Sequence, residues 1–350
     1  MEIKKVTIAE IAELSGVSAA TVSRVLNHQY LVKPDTRNRV MSAIDTLGYK
    51  FSDESKIQQS KNKGLFILNI PSLDNPFYSD LVAGAKSAAD RYGYHLLVNQ
   101  EEINSDTFYR LSGLFSSVKI AGLITTNSIP RPLLTKLSQM IPMVQCCEYD
   151  DQIPIPYVCV DNVMAMENAT EHLLALGCRK IAMVNGPIQN KYARDRKLGY
   201  LNAMKKAGIN VPSNWILQLS EINFFMALSA ILSHLASDDI PDAYITVSDI
   251  YAAAAVRAAA QRGISIPKDL MVVGFDNVEI SMATTPLITT INLPRFQLGY
   301  IACELLVERI RNPVVEQKRI LLNTELILRE STYLLENRHE VALQQSQKLF

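Results

Sequence analysis

The sequence of 350 residues predicts two unlike parts, a small all-α headpiece and a larger α/β body of doubly wound parallel sheets. Three short helical patterns fill residues 1–50. A polar segment rich in Ser, Gln and Lys follows over residues 51–63 and has the composition of a linker. From Gly64 onward, apolar strand-like runs alternate with helical patterns, as in parallel sheets covered by helices.

The headpiece begins with two short helices joined by a tight turn. Thr7 and Glu10 have the spacing of a capping box at a helix start. Gly16 suits a turn that needs a positive φ, and Ser18 is placed to cap the second helix. A third helix follows Pro34. So short a unit buries little core, and its first two helices match a helix-turn-helix module that docks in the DNA major groove.

The second helix carries its large apolar residues on one side and small or hydroxyl side chains with one arginine on the other. Arginine can bind guanine O6 and N7 together, and hydroxyl groups can hold phosphates. An ordinary helical hairpin with a solvated arginine is the alternative interpretation. The residues predicted to contact DNA are Thr7, Ser18, Ala19, Ala20, Thr21, Ser23, Arg24 and Asn27.

The amino-acid composition argues against several classes of protein. The 35 Lys and Arg balance the 35 Asp and Glu, so a nonspecific nucleic-acid coat protein is not expected. Residues 1–63 hold ten basic against seven acidic side chains, which predicts mild local steering toward phosphates. The five cysteines lack a CxxC pair and are expected to be buried free thiols. Neither a signal peptide nor a membrane-spanning run is expected, which predicts a cytoplasmic protein.

The motifs of this chain resemble the lactose-repressor/galactose-repressor (LacI/GalR) family of bacterial transcription regulators. The matching residues are Thr7-Ile-Ala-Glu-Ile-Ala12, Gly16-Val-Ser-Ala-Ala-Thr-Val-Ser-Arg-Val-Leu-Asn27, Thr36-Arg-Asn-Arg-Val40, Leu47-Gly-Tyr49 and Arg329-Glu-Ser-Thr332. The run Cys147-Glu-Tyr149 and the unusual linker are most similar to the cytidine-repressor branch. This resemblance implies a periplasmic-binding-protein-like core of two lobes, with three segments crossing between them.

We therefore predict five segments. They are a DNA-binding domain at 1–50, a linker at 51–63, an N-terminal lobe at 64–162 plus about 293–322, a C-terminal lobe at 163–292 plus about 323–335, and a disordered tail at 336–350. Such lobes bind small molecules in the cleft at the carboxyl ends of their strands.

The effector site is expected on loops that follow those strand ends. The resemblance implies that Asp276 and either Arg194 or Arg196 contact the effector. Each has a plainer alternative, because the arginines could be solvated, and Asp276 could cap a helix near Val278. Asp249 could likewise be only an N-cap. The residues predicted to bind the effector are Leu73, Asp74, Phe77, Arg194, Arg196, Asn223, Asp249 and Asp276. Asn223 stands near the position where relatives carry a stacking aromatic residue.

Two departures from the family pattern bear on mechanism. The linker lacks the Pro, Asn, Ala and Leu of the hinge helix that wedges into the minor groove, and Ile57 is the only residue there that could act as a wedge. Ala19 and Ala20 replace larger base-reading residues and forfeit about 1–3 kcal/mol of discrimination each. We therefore expect weak intrinsic specificity, helped by a second DNA-bound regulator or by clustered operators.

These features predict a DNA-binding transcriptional regulator. Repression is the commoner behaviour in the family that the chain resembles, so a repressor is expected. It would act as a homodimer on a double-stranded operator and respond to a nucleoside or sugar effector. An activator or co-regulator is the alternative, and a solute-binding protein is a remote one. The motifs of dinucleotide-binding, P-loop, α/β-hydrolase and zinc-protease enzymes are all missing from the sequence. We therefore expect no enzymatic activity, no cofactor and no metal.

Overall fold

The computed structural model describes residues 8–19, 21, 22, 25, 32, 34–47, 64–237, 239–313 and 318–333. The chain divides into two compact units, Met1–Asn62 and Lys63–Phe350. The predicted linker at 51–63 and the predicted tail at 336–350 lie outside the described residues.

The first unit contains helix α1 (Ile8–Ser15) and helix α2 (Pro34–Leu47), and residues 19, 21, 22 and 25 between them are also helical. Ile11, Val22, Val25 and Val40 are fully buried in one apolar cluster, and Val22 and Val25 belong to the apolar side predicted for the second helix. The turn after α1 places Gly16 at a φ of 66°, a conformation that glycine adopts without the strain a side chain would add.

The second unit begins with a lobe built on a six-stranded parallel sheet. Its strands are β1 (Leu65–Ile70), β2 (His95–Gln100), β3 (Ile120–Thr125), β4 (Met143–Cys146), β5 (Tyr157–Val160) and β11 (Arg319–Leu322), in the order β11-β5-β4-β3-β1-β2. Its helices are α3 (Phe77–Tyr92), α4 (Ser105–Ser117), α5 (Arg131–Met140) and α10 (Arg295–Arg311). The central strand β1 is almost wholly buried, as its continuous apolar sequence predicts.

The other lobe contains a second six-stranded sheet in the order β12-β10-β9-β8-β6-β7. The strands are β6 (Ile181–Asn185), β7 (Ile216–Gln218), β8 (Ala243–Thr246), β9 (Met271–Asp276), β10 (Thr289–Asn292) and β12 (Glu325–Ile327). The helices are α6 (Asn162–Ala175), α7 (Lys191–Lys206), α8 (Phe224–His234) and α9 (Asp249–Arg262), with 3₁₀ turns at Ser213–Trp215 and Glu279–Met282. Strand β12 pairs antiparallel with β10, and the other described pairs are parallel.

The chain crosses between the lobes at the junctions β5–α6, β10–α10 and β11–β12. Helix α10 packs against α3, β3, β4 and β5, so it returns to the first lobe. Three separate crossings therefore connect the two lobes in the described part of the chain.

Glycines allow two helix pairs to pack with their backbones in contact. A Cβ on Gly84 of α3 would lie 2.0 Å from the Phe296 carbonyl oxygen, and one on Gly299 of α10 would lie 1.9 Å from the Leu81 oxygen. A Cβ on Gly199 of α7 would lie 2.2 Å from the Val163 oxygen of α6. Alanine at any of these positions would force the helices apart, because interiors are close-packed.

The apolar runs of the sequence predict nine strands, and all are present in the structure; the predicted ranges are 64–70, 95–99, 120–125, 143–147, 157–160, 180–185, 215–219, 243–247 and 270–274. The strands β10, β11 and β12 were not predicted, because each is short and β11 and β12 are partly exposed rather than continuously apolar. Within the described residues, no helix combines the length and the apolar composition that crossing a membrane requires.

Candidate functional site: the cavity between the lobes

A cavity of about 560 Å³ lies between the two lobes, within the size range of small-molecule sites. Residues directly after strand ends form much of its wall, including Asn127 after β3, Cys147 after β4, and Asn162 after β5. Asp276, the last residue of β9, lies on the same wall and faces Asn127 and Cys147 from the other lobe. Parallel strands thus bring side chains from distant parts of the sequence to one place.

The centre of the site is a buried ion pair. Arg196 lies on α7 and is only 5% exposed, as is Asp276. The Arg196 Nη1 lies 3.5 Å from Asp276 Oδ1. Its Nε donates to Asn162 Oδ1 at 2.9 Å, and its Nη1 donates to the Val247 carbonyl at 2.6 Å. The guanidinium also stacks on Phe275, 3.6 Å from the ring centroid, so it is held in one orientation.

The loop after β9 has a strained backbone. Asp276 has a φ of 106° and Asn277 a φ of 53°, values that non-glycine residues rarely adopt. Side-chain bonds hold the strained pair, since the Asn277 Oδ1 accepts from Arg329 at 2.6 Å and its Nδ2 donates to Asn292 at 3.0 Å. The strain turns the Asp276 carboxylate into the cavity.

Asp249 supports this loop from below. It is fully buried at the start of α9, accepts from the Val278 backbone N–H at 2.8 Å, and accepts from the Thr290 hydroxyl at 2.6 Å. A Cβ on Gly274 would lie 2.2 Å from the Asp249 Oδ1, so only glycine leaves room for that carboxylate. Asp249 is therefore a positioning residue for the Asp276 loop.

Burial is the main influence on the titration of both carboxyl groups. It raises the pKa of Asp276 to about 6, although Arg196 and Arg295 act in the opposite direction. Burial and the charge of Asp276 together raise the pKa of Asp249 to about 8, although bonds from Thr290 and Val278 lower it. Each carboxyl group therefore favours its neutral form more than an exposed aspartate does.

The structure brings five of the eight predicted effector residues to the cavity wall. They are Asp74, Phe77, Arg196, Asn223 and Asp276. Asn223 also caps α8, since its Oδ1 accepts from the backbone N–H groups of Phe225 and Met226.

Three predicted residues do not line the cavity. Leu73 is 61% exposed beside it. Arg194 points away from Arg196 on the same helix, and its guanidinium donates to the carbonyls of Ile188 and Gln189 at the surface. Asp249 lies beneath the floor, and Ser248, not Asp249, is the N-cap of α9. The capping alternative for Asp276 is also wrong, because the Val278 N–H donates to Asp249 instead.

Sequence reasoning missed several residues of the wall. Asn162 orients Arg196, Tyr192 flanks it at 5.0 Å, and Glu148 contacts the start of α7. Asn162 and Glu148 each follow a predicted strand, so the rule that pointed to Asp276 also identifies them. Two thiols, Cys147 and Cys159, line the cavity as well, although Cys159 is itself buried.

In the headpiece, the structure describes three of the predicted DNA-contacting residues. Ser18 caps the second helix as predicted, because its Oγ accepts from the Thr21 backbone N–H at 3.2 Å and lies 2.9 Å from the Thr21 hydroxyl. Ser18 and Ala19 are exposed. The predictions for Thr7, Ala20, Ser23, Arg24 and Asn27 fall outside the described residues or side chains.

A helical DNA-binding unit followed by a two-lobed core with an interlobe cavity defines a ligand-responsive transcription regulator. Comparison with known families agrees with this class. Residues 7–52 match the model for bacterial regulatory proteins of the lacI family, and residues 170–332 match the periplasmic binding protein-like domain.

The chain belongs to the LacI family. It is 32% identical to the ribose operon repressor of Halalkalibacterium halodurans over 93% of this chain and 97% of that protein. It is 28% identical to the transcriptional repressor CytR of Escherichia coli over 93% of this chain and 96% of that one. Among solved structures, the lac repressor dimer bound to operator and the anti-inducer ONPF is similar with a TM-score of 0.70 and 26% identity, over 95% of this chain and 100% of that one.

Proposed function

We propose that this protein is a transcriptional repressor whose affinity for its operator is set by a small polar effector in the interlobe cavity. The observation that carries the proposal is the buried Arg196–Asp276 pair on the cavity wall of a chain with a LacI-family headpiece. A guanidinium and a carboxylate side by side offer both donors and acceptors to a hydroxyl-rich ligand. Such a protein acts in the bacterial cytoplasm as a homodimer, which matches the two-fold symmetry of an operator.

The charges of the cavity favour an uncharged effector. The wall holds five carboxylates and one guanidinium, and Arg196 is already committed to Asp276, Asn162 and Val247. A phosphate group would meet net negative charge there. The effector is therefore a free sugar or a nucleoside rather than a sugar phosphate or nucleotide. The aromatic side chains of Phe77, Tyr78 and Tyr192 supply apolar surface for a ring.

A thermal-shift panel on the full chain tests whether the effector is an uncharged compound. Free pentoses, hexoses, disaccharides and nucleosides are compared with their phosphorylated forms, because a bound ligand raises apparent stability by mass action. We expect an uncharged compound to raise the melting temperature in the wild-type protein and to fail in Asp276→Ala. Stabilisation only by phosphorylated compounds would refute the assignment of effector class.

The DNA-binding side of the proposal rests on the headpiece sequence. Selection of operator sequences from a random duplex library would define the preferred site. At that site, Arg24→Ala should weaken binding and relax the preference at one base pair, whereas Thr21→Ala should weaken binding to all sequences alike. If neither variant changes binding to a duplex at low salt, the headpiece is not the DNA-binding surface.

We also propose that operator selection is weak in the isolated protein and is assisted by a second DNA-bound regulator. Support comes from Ala19 and Ala20 at base-reading positions and from the absence of the hinge-helix motif in residues 51–63. The affinity of the purified protein should change little when the spacing between half-sites is altered by one base pair. A sharp optimum of spacing would contradict this proposal.

A further inference from the structure

One carboxylate joins the two lobes across the cavity. Glu148 follows β4 in the first lobe, whereas α7 belongs to the second. The Glu148 Oε2 accepts from the Lys191 backbone N–H at 2.7 Å, and its Oε1 accepts from the Tyr192 N–H at 2.9 Å. Both carboxylate oxygens are thus bound to the first turn of a helix on the opposite side of the cleft.

This contact supplies a cap that α7 does not take from its own sequence. Asn190 occupies the N-cap position, but the side-chain acceptor for the first N–H groups is Glu148. Free N–H groups at a helix start need such acceptors, and the positive end of the helix dipole favours a carboxylate there. Helix α7 therefore completes its hydrogen bonding only while the two lobes are together.

A second contact at the same place supports the pairing of the lobes. The Lys191 Nζ lies 4.8 Å from the centroid of the Tyr149 ring, which extends from the same loop as Glu148. Glu148 itself is only 5% exposed, so water does not screen its bonds strongly. These contacts lie on the cavity wall beside the β5–α6 crossing, because the Cys147 carbonyl accepts from the Cys159 thiol at 3.1 Å.

We propose that Glu148 is an interlobe latch, which holds the two lobes together by capping α7 from the opposite lobe. Helix α7 also carries Arg196 and Tyr192, so the latch sets the position of this part of the cavity wall. An effector then acts by its difference in affinity for the latched and unlatched forms. This inference goes beyond the proposed function, because it requires neither effector nor DNA.

Hydrogen–deuterium exchange of the full-length protein, without ligand, tests the latch. The variant is Glu148→Ala, and the matched control is Glu102→Gln, which changes an exposed carboxylate on the same wall. We expect amides in two peptides to exchange at least fivefold faster in Glu148→Ala: 190–194, which contains the capped turn, and 126–128, which lines the same cavity from the first lobe. The control should match the wild type in both.

Each result decides the question. Faster exchange in both peptides supports the latch, because opening exposes both walls. Faster exchange in 190–194 alone shows a local cap that does not hold the lobes, and unchanged exchange in both shows neither role; either outcome overturns the proposal. If Glu148→Ala fails to fold, Glu148→Gln retains one acceptor oxygen and should give an intermediate increase in both peptides. Peptides covering β6 and β8 report whether the fold is intact.

Discussion

Removing Arg196 should strand a buried carboxylate, and the cost can be worked from the structure. In the variant Arg196→Ala, Asp276 loses its ion-pair partner at 3.5 Å while remaining 5% exposed. Breaking a buried pair by deleting one partner costs about 3–5 kcal/mol. The Asn162 and Val247 oxygens lose a donor as well, at roughly 1–3 kcal/mol for each group that water does not reach.

The cost should depend on pH. Burial already raises the pKa of Asp276 to about 6 with Arg196 in place, and loss of that guanidinium raises it further. At pH 5 Asp276 is then neutral, so the variant loses little of the charge penalty. At pH 8 the group must either stay ionised without a partner or take a proton at a cost. The destabilisation is therefore larger at pH 8 than at pH 5.

Urea and thermal unfolding of the full chain measure the destabilisation by Arg196→Ala, which is compared with two further variants. From the ion pair alone, at about 3–5 kcal/mol, Arg196→Ala should lower the melting temperature at pH 8 by roughly 6–20 °C, at about 2–4 °C per kcal/mol. The double variant Arg196→Ala/Asp276→Asn removes both charges and should recover several degrees. Arg196→Lys keeps the charge without the fork and should lie between the single variant and the wild type.

The reasoning would be refuted by a loss below about 1 kcal/mol at pH 8, which is the cost expected of an exposed ion pair. It would also be refuted if the double variant were less stable than Arg196→Ala, because the pair would then not be the source of the cost.

Other predictions concern stability. Gly199→Ala should destabilise the protein by about 1–3 kcal/mol through overpacking. Gly113→Ala in α4, where a Cβ meets open space, should instead stabilise it by roughly 0.5–1 kcal/mol. Urea melts that rank the two variants in the opposite order would contradict the described packing. The folded pKa values of Asp276 (about 6) and Asp249 (about 8) lie above the ordinary 3.8, so the free energy of unfolding should fall as pH rises from 4 to 8. In melts at several pH values, Asp249→Asn should flatten the upper part of this dependence of stability on pH. Ser18→Ala should cost the headpiece about 1 kcal/mol through loss of its cap. Unfolding followed by the helical circular dichroism signal measures this loss, and an unchanged unfolding curve would show that Ser18 is not a cap.

The sequence predicted most of the α/β core because its strongest local signals agree with the fold. Continuous apolar runs such as that at β1 are buried, and Gly16 and Ser18 do what their residue types favour. The strands β10 to β12 were not predicted because their positions depend on pairing with distant strands in sheets that the rest of the chain forms. No local pattern of three or four residues encodes that return.

The site was predicted less completely because side-chain direction depends on tertiary packing. Arg194 and Arg196 lie two positions apart on α7, so they point to different sides, and only the packed structure shows that Arg196 is the inward one. Asp249 and Asp276 both end up near the same strand ends, yet the strained backbone at 276 exposes one carboxylate to the cavity and leaves the other below. Glu148 acts through a contact with a helix 43 residues further on, which spacing along the chain does not reveal.

The hidden carboxylate beneath the floor has a consequence for how such regulators diversify. Asp249, Gly274 and Thr290 form a foundation beneath the cavity, whereas Asp74 and Glu102 are exposed residues of its wall. New responses can thus arise by exchanging wall residues while the foundation stays fixed. An engineer who wants this repressor to answer a different molecule should randomise the wall and leave the foundation untouched.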